Sequence, residues 1–216
     1  IQITPLAGAG GNRSSVSVTA GNGTLSVTQP VTTSGNGTSG GGITLTAGTI
    51  ATSGAGSVAQ STATGSTVTL NATTGGISIG AGVSGDKLTI RTAGGAITQT
   101  LAGVLSTANS GSVTSPVANV FNAGTGAITL NVAPNTLAAG SVVQLTGSTA
   151  SISNAGSLWL GTSNVTGAVN VTTTTAGQGI QLGAGLGTAG QAINIGGVLT
   201  VTTNAGAVTD ENYGAQ

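Results

Sequence analysis

The sequence predicts an all-β chain wound as a parallel β-helix, and three observations carry that prediction. Apolar residues recur at i and i+2 over short runs, the period of a strand with one buried face. Nearly every run ends in a glycine-containing corner. The runs return at nearly regular steps, so strands too short for a free-standing sheet can form the sides of a coil that stacks on the next coil.

The clearest stretch is VTLNATTGGISIGAGVSGDKLTIRTAGGAITQTL, Val68 to Leu101. It holds four alternating runs, starting at Val68, Ile77, Leu88 and Ile97. Their corners are Gly75-Gly76, the segment from Gly80 to Gly85, Gly94-Gly95 and Gly103. Similar runs precede this stretch at Val16-Ser-Val18, Leu25-Ser-Val27 and Ile43-Thr-Leu45. Others follow at Ile128 to Val132, Leu158-Trp-Leu160, Val169-Asn-Val171, Ile180-Gln-Leu182, Ile193-Asn-Ile195 and Leu199-Thr-Val201. Two steps make a coil of about 20 residues, within the range of solenoid repeats. About ten such coils, about 4.8 Å apart, make a rod of roughly 45–50 Å. Between Leu101 and Ile128, and between Val132 and Leu158, the runs are weaker and the loops longer.

Helices are excluded by the period of two, the dominance of β-branched residues and the glycines that interrupt every long segment. Asn135 to Gly140, after Pro134, has room for a single helical turn at most. Pro5, Pro30, Pro116 and Pro134 are expected between runs, where a missing N–H costs no ladder bond. An immunoglobulin-like sandwich buries aromatic side chains between two sheets. With one Phe, one Trp and one Tyr, this chain suits the slimmer interior of a β-helix, which Ala, Val, Ile and Leu fill. The 216 residues are read as one β-solenoid segment of a longer repetitive chain, because Ile1-Gln-Ile3 already reads as a strand.

Composition bounds the function classes. Three basic and three acidic residues offer no footprint for nucleic acid or an anionic membrane surface. Mean hydropathy of +0.37 argues against disorder. Residues 1 to 20 contain no charged segment followed by an apolar run, so no signal peptide is read there. No apolar run approaches the ~18 residues of a membrane-spanning helix. The absence of Cys fits a reducing compartment and disulfide-free export equally.

Several segments resemble the repeat region of filamentous-haemagglutinin-type exoproteins, the large bacterial adhesins of two-partner and related secretion. They are GGGITLTAGTI (Gly40 to Ile50), LTIRTAGGAITQTLAG (Leu88 to Gly103), GTGAITLNVAPNTLAAGS (Gly124 to Ser141) and SISNAGSLWLG (Ser151 to Gly161). The resemblance is one of repeat style over most of the chain. It implies a right-handed parallel β-helix, secretion to the bacterial cell surface or extracellular matrix, and a stalk or fibre role in adhesion. The partners it implies are neighbouring repeats, further copies of the chain, and a glycan or protein of a host or cell surface. The secretion domain of that family is not identifiable in these residues.

Chemistry is sparse. Without His or Cys, most nucleophile–base pairs and transition-metal sites are excluded. No catalytic, cofactor-binding or metal site is assigned, and no enzyme activity is expected. Asp86, Lys87 and Arg91 form the one internal charged group, which reads as a solvated ion-pair set of small energetic weight. The enzyme alternative, a polysaccharide-acting β-helix, requires a charged cleft around Asp86. Asp210 and Glu211 are adjacent in the tail and point to opposite faces if extended. Only Gly85-Asp86 gives a Gly-Asp pair, so calcium-binding solenoid repeats are rejected. Gly8-Ala-Gly10, Gly54-Ala-Gly56 and Gly183-Ala-Gly185 are read as corners rather than nucleotide loops.

Sequons begin at Asn12, Asn22, Asn36, Asn71, Asn164 and Asn170, as chance produces in a chain this rich in Asn, Ser and Thr. Thr44-Leu-Thr46, Thr67-Val-Thr69 and Thr98-Gln-Thr100 raise an ice-binding alternative. Their spacing along the chain looks too irregular for a lattice match. A carbohydrate-binding groove lined by Thr and Asn is the remaining alternative. Trp159 takes the face opposite Leu158 and Leu160 and is read as packing rather than recognition.

Overall fold

A computed structural model of the chain describes residues 15–33, 41–60, 66–108, 118–139, 141–183 and 192–210. Ile1-Gln-Ile3, Pro5, Gly8-Ala-Gly10, Asn12, Arg13, Asn36, Pro116 and Glu211 lie outside the described residues.

The strands follow the coils in order. The first coil holds β1 (Val16–Thr19), β2 (Thr24–Val27) and β3 (Val31–Thr33). The second holds β4 (Ile43–Ala47), β5 (Thr49–Thr52) and β6 (Val58–Gln60), and the third β7 (Thr67–Ala72), β8 (Ile77–Ile79) and β9 (Val83–Gly85). Then come β10 (Lys87–Thr92), β11 (Ile97–Gln99) and β12 (Leu105–Thr107), followed by β13 (Ala118–Asn122) and β14 (Ile128–Asn135). The next turn consists of β15 (Val142–Gly147) and β16 (Ala150–Asn154). The last coils carry β17 (Leu158–Leu160), β18 (Ser163–Val165), β19 (Val169–Thr173), β20 (Ile180–Leu182), β21 (Ile193–Ile195), β22 (Leu199–Thr203) and β23 (Val208–Asp210).

Every strand pairing among the described residues is parallel, and each joins one coil to the next. Three sheets result. An eleven-stranded sheet, here sheet A, has the main path β1-β4-β7-β10-β13-β15-β17-β20-β23. An eight-stranded sheet B runs β2-β5-β8-β11-β14-β16-β19-β22, and a four-stranded sheet C runs β3-β6-β9-β12. The fold is therefore a parallel β-helix, a β-solenoid, and not a sandwich of antiparallel sheets. Sheet A is nine levels tall along its main path, a height of about 38 Å at the usual strand spacing.

Stacking puts like residues over like. Ile50, Ile77, Ile97 and Ile128 are successive partners in sheet B, and Leu45, Leu70 and Ile90 in sheet A. All of these are essentially inaccessible to solvent. Full burial of one such side chain is worth about 1.5–3 kcal/mol, so this continuous aliphatic column is the main source of stability. The outward positions between them are half-buried or exposed, as in the alternating burial of β4 and β7.

The coil is less regular than the expected length of about 20 residues. Stacked partners are separated by as few as 17 positions (Val142 to Trp159) and as many as 31 (Ile97 to Ile128). The strands stay in register because the corner loops absorb the difference.

Four local expectations are corrected. The segment from Gly80 to Gly85 is not all corner, since Val83–Gly85 is a strand of sheet C. Leu101 does not close a buried run, being 76% exposed in a turn. Pro134 lies inside β14 rather than between strands. It is tolerated because the pairing with β16 shifts between Leu130 and Asn135, and the ladder asks for no N–H there. Asn135 ends that strand and Thr136 bridges to Ser106, so the helical turn shrinks to a tight turn closed by Ser141 N–H donating to Ala138 O.

Candidate functional site

The chemistry-bearing residues do not converge. Asp86 is 3% exposed, at the entry to β10. Lys87 and Arg91 are exposed on the same strand, where residues one apart face opposite sides. The reading of the three as one solvated set is therefore corrected, because the acid is buried while both bases are exposed. Asp210 is exposed on β23. Among the described residues there is no group of three or more His, Cys, Asp or Glu able to hold a metal ion.

The polar groups that matter to the architecture are inside. Asn135 is fully buried where sheet B turns toward the third side of the coil. Its Oδ1 accepts from Leu105 N–H (2.9 Å) and Gln99 Nε2 (2.9 Å), and its Nδ2 donates to Leu130 O (2.8 Å) and Ser153 O (2.9 Å). Asn154, its partner one coil on, accepts from Leu137 N–H (2.8 Å) and donates to Leu137 O and Gly156 O (3.0 Å each). Both amides replace backbone ladder bonds that the bend leaves unmade, as a buried corner requires. Thr52, one inner position earlier, adds side-chain bonds at its own corner, its Oγ1 accepting from Gly80 N–H and Ala81 N–H and donating to Ala81 O. Buried Gln60 carries two side-chain atoms with no partner, and Gln99 and Asn119 carry one each. They belong to sheets C, B and A respectively.

Two surfaces stand out. The first is the outer face of sheet B. Its central column runs Ser26, Ala51, Ser78 and Thr98, each the Cα partner of the next. It continues through Thr129, Ser151, Asn170 and Thr200 with no break in register. Neither a charged nor an aromatic side chain interrupts it. The four described charged residues lie on strands of sheet A or at their entry, and Trp159 is outward on β17 of sheet A. Thr44 and Thr69 are direct neighbours in sheet A, although 25 positions separate them, and Thr98 belongs to a different face. Distance along the chain therefore does not measure regularity in space. This overturns the argument that irregular spacing rules out an ordered Thr array.

The second surface is the carboxy-terminal end of the stack. In the first coil Val16 (6% exposed), Leu25 (5%), Val27 (3%) and Val31 (2%) are buried and Val18 is partly buried. At the other end Leu182, Ile193, Ile195, Leu199 and Val201 are only partly buried, and Val208, stacked on Ile180, is 50% exposed. Among the described residues, β21, β22 and β23 pair with a neighbouring strand on one side only.

Trp159 is half-buried on the outer face, between Val142 below and Gln181 above. Val142 is 1% exposed despite pointing outward, consistent with cover by a bulky neighbour. Of the sequons in the described residues, Asn22, Asn164 and Asn170 are exposed and Asn71 is half-buried. No family model matches the chain, and no curated protein or solved structure matches it.

Proposed function

We propose that this chain is a structural segment of a secreted bacterial surface adhesin, a stiff stalk or fibre element with no enzymatic role. The stack extends by docking a further coil of the same kind, supplied by neighbouring repeats or by a second copy. The observation that carries this reading is the carboxy-terminal coil, whose aliphatic inner positions are only partly buried and whose strands β21, β22 and β23 pair on one side only among the described residues. An unpaired edge with apolar inner positions is a template for another strand. In a linear repeat, each added coil is stabilised through its interface with its neighbour. The adhesin and secretion parts rest on the repeat-style resemblance of Gly40 to Ile50, Leu88 to Gly103, Gly124 to Ser141 and Ser151 to Gly161.

The test is self-association across a concentration series by sedimentation velocity, with low-dose electron micrographs of the same samples. The expected result is rods that lengthen with concentration. Val208→Lys, which places a charge on the exposed terminal rung, is expected to hold the protein as single short rods with an unchanged circular dichroism spectrum. A wild-type chain that remains a single particle at the highest concentrations would sink the end-docking reading.

A further inference from the structure

We propose that the outer face of sheet B is a docking surface for crystalline ice. The face presents one uncharged small side chain per rung from Ser26 to Thr200, in unbroken register. The rungs repeat at about 4.8 Å, so the column is a regular one-dimensional array along the rod. A ligand that matches it along its length must itself be periodic at that spacing.

Three features select ordered water over other periodic partners. Hydroxyls occupy six of the eight central positions, at Ser26, Ser78, Thr98, Thr129, Ser151 and Thr200, and each hydroxyl can donate and accept. Some of these groups are already held in place. Thr98 Oγ1 donates to Ile77 O (3.4 Å), and Asn170 Nδ2 donates to Ser151 Oγ (3.4 Å). Groups held in advance reduce the entropy lost on binding. The charge-free face also lacks the strongly hydrated ions that compete for water orientation. Crystalline polysaccharide fits less well, because flat sugar surfaces are commonly met by aromatic rings, and none lies on this face among the described residues. The rod supplies rigidity, since the outward column stands on the buried Ile50-Ile77-Ile97-Ile128 column beneath it.

The test uses the purified chain and ice grown slowly from its buffer. Thermal hysteresis is measured by osmometry, and partition into ice by assay of the melted solid. The wild type is expected to open a gap between melting and freezing that widens with concentration, and to enter the ice. Thr98→Lys and Thr129→Lys, each a charge set on the central column, are expected to abolish the gap with the circular dichroism melt unchanged. Thr44→Lys, outward on sheet A, is expected to leave the gap as in the wild type. A folded wild type without hysteresis overturns the proposal. So does equal loss from Thr44→Lys, or binding to microcrystalline cellulose or chitin, or lateral pairing of rods, without uptake into ice.

Discussion

Replacing Asn135 by Leu removes the best-connected polar group in the core while keeping a side chain of similar size. Four hydrogen bonds end on this one amide: from Leu105 N–H and Gln99 Nε2, and to Leu130 O and Ser153 O. A typical intramolecular bond contributes about 0.5–1.5 kcal/mol net, so four sum to about 2–6 kcal/mol. The upper half of that range is expected. Gln99 keeps a second acceptor in Gly103 O (3.0 Å), but Leu105 N–H sits in a closed interior where water cannot replace its acceptor. Chemical denaturation followed by far-ultraviolet circular dichroism reads the loss. Trp159 fluorescence, from the one tryptophan, reports on the carboxy-terminal coils separately. Loss of coincidence between the two signals is expected, because a weakened middle coil uncouples the halves of a linear stack. Asn164→Ala, on an exposed position, is the control and should change stability by less than about 0.5 kcal/mol. A cost for Asn135→Leu below about 1 kcal/mol would refute the view that buried amides replace ladder bonds at the corners.

Two further comparisons follow from the same structure. A Cβ on Gly103 would overlap the carbonyl group of Ile79 one coil below, whereas one on Gly54 meets nothing but is strained at φ 60°. Gly103→Ala should therefore lower stability severely, and Gly54→Ala by about 1–2 kcal/mol, as judged by urea midpoints. Asp86→Ala should cost more than about 1 kcal/mol because the group is buried, while Lys87→Ala and Arg91→Ala should stay within about 0.5 kcal/mol. Equal, small effects at all three positions would restore the reading of a solvated surface group.

The runs with two apolar residues at i and i+2 were legible, because alternation is a local property of the chain. Ile43-Thr-Leu45, Ile77-Ser-Ile79, Leu158-Trp-Leu160 and Leu199-Thr-Val201 all lie in strands, with Trp159 on the face opposite its two leucines. The third sheet left almost no such trace. Its strands read Val-Thr-Thr, Val-Ala-Gln, Val-Ser-Gly and Leu-Ser-Thr, and in each the second inner position is polar or glycine. Thr33, Gln60 and Thr107 are buried there nonetheless. Thr33 Oγ1 donates to Gly41 O (3.0 Å) and Thr107 Oγ1 accepts from Ala138 N–H (3.0 Å), and no hydropathy pattern can register those partners.

The linear chain by itself determined the class of structure: short aliphatic alternation, glycine corners and a near absence of charge and aromatic residues leave room for little but a slim stacked coil. Only the tertiary structure decided which residues share a rung. Corner loops of unequal length hide the register, so Thr44 over Thr69, the Ser26-to-Thr200 column and the Asn135–Asn154 pair exist only once the backbone ladders close. The burial of Asp86 and the half-exposure of Val208 were decided at that level as well. The physical reason is that strand alternation is set by neighbours along the chain, whereas stacking is set by hydrogen bonds between residues that the sequence keeps some 20 or 30 positions apart.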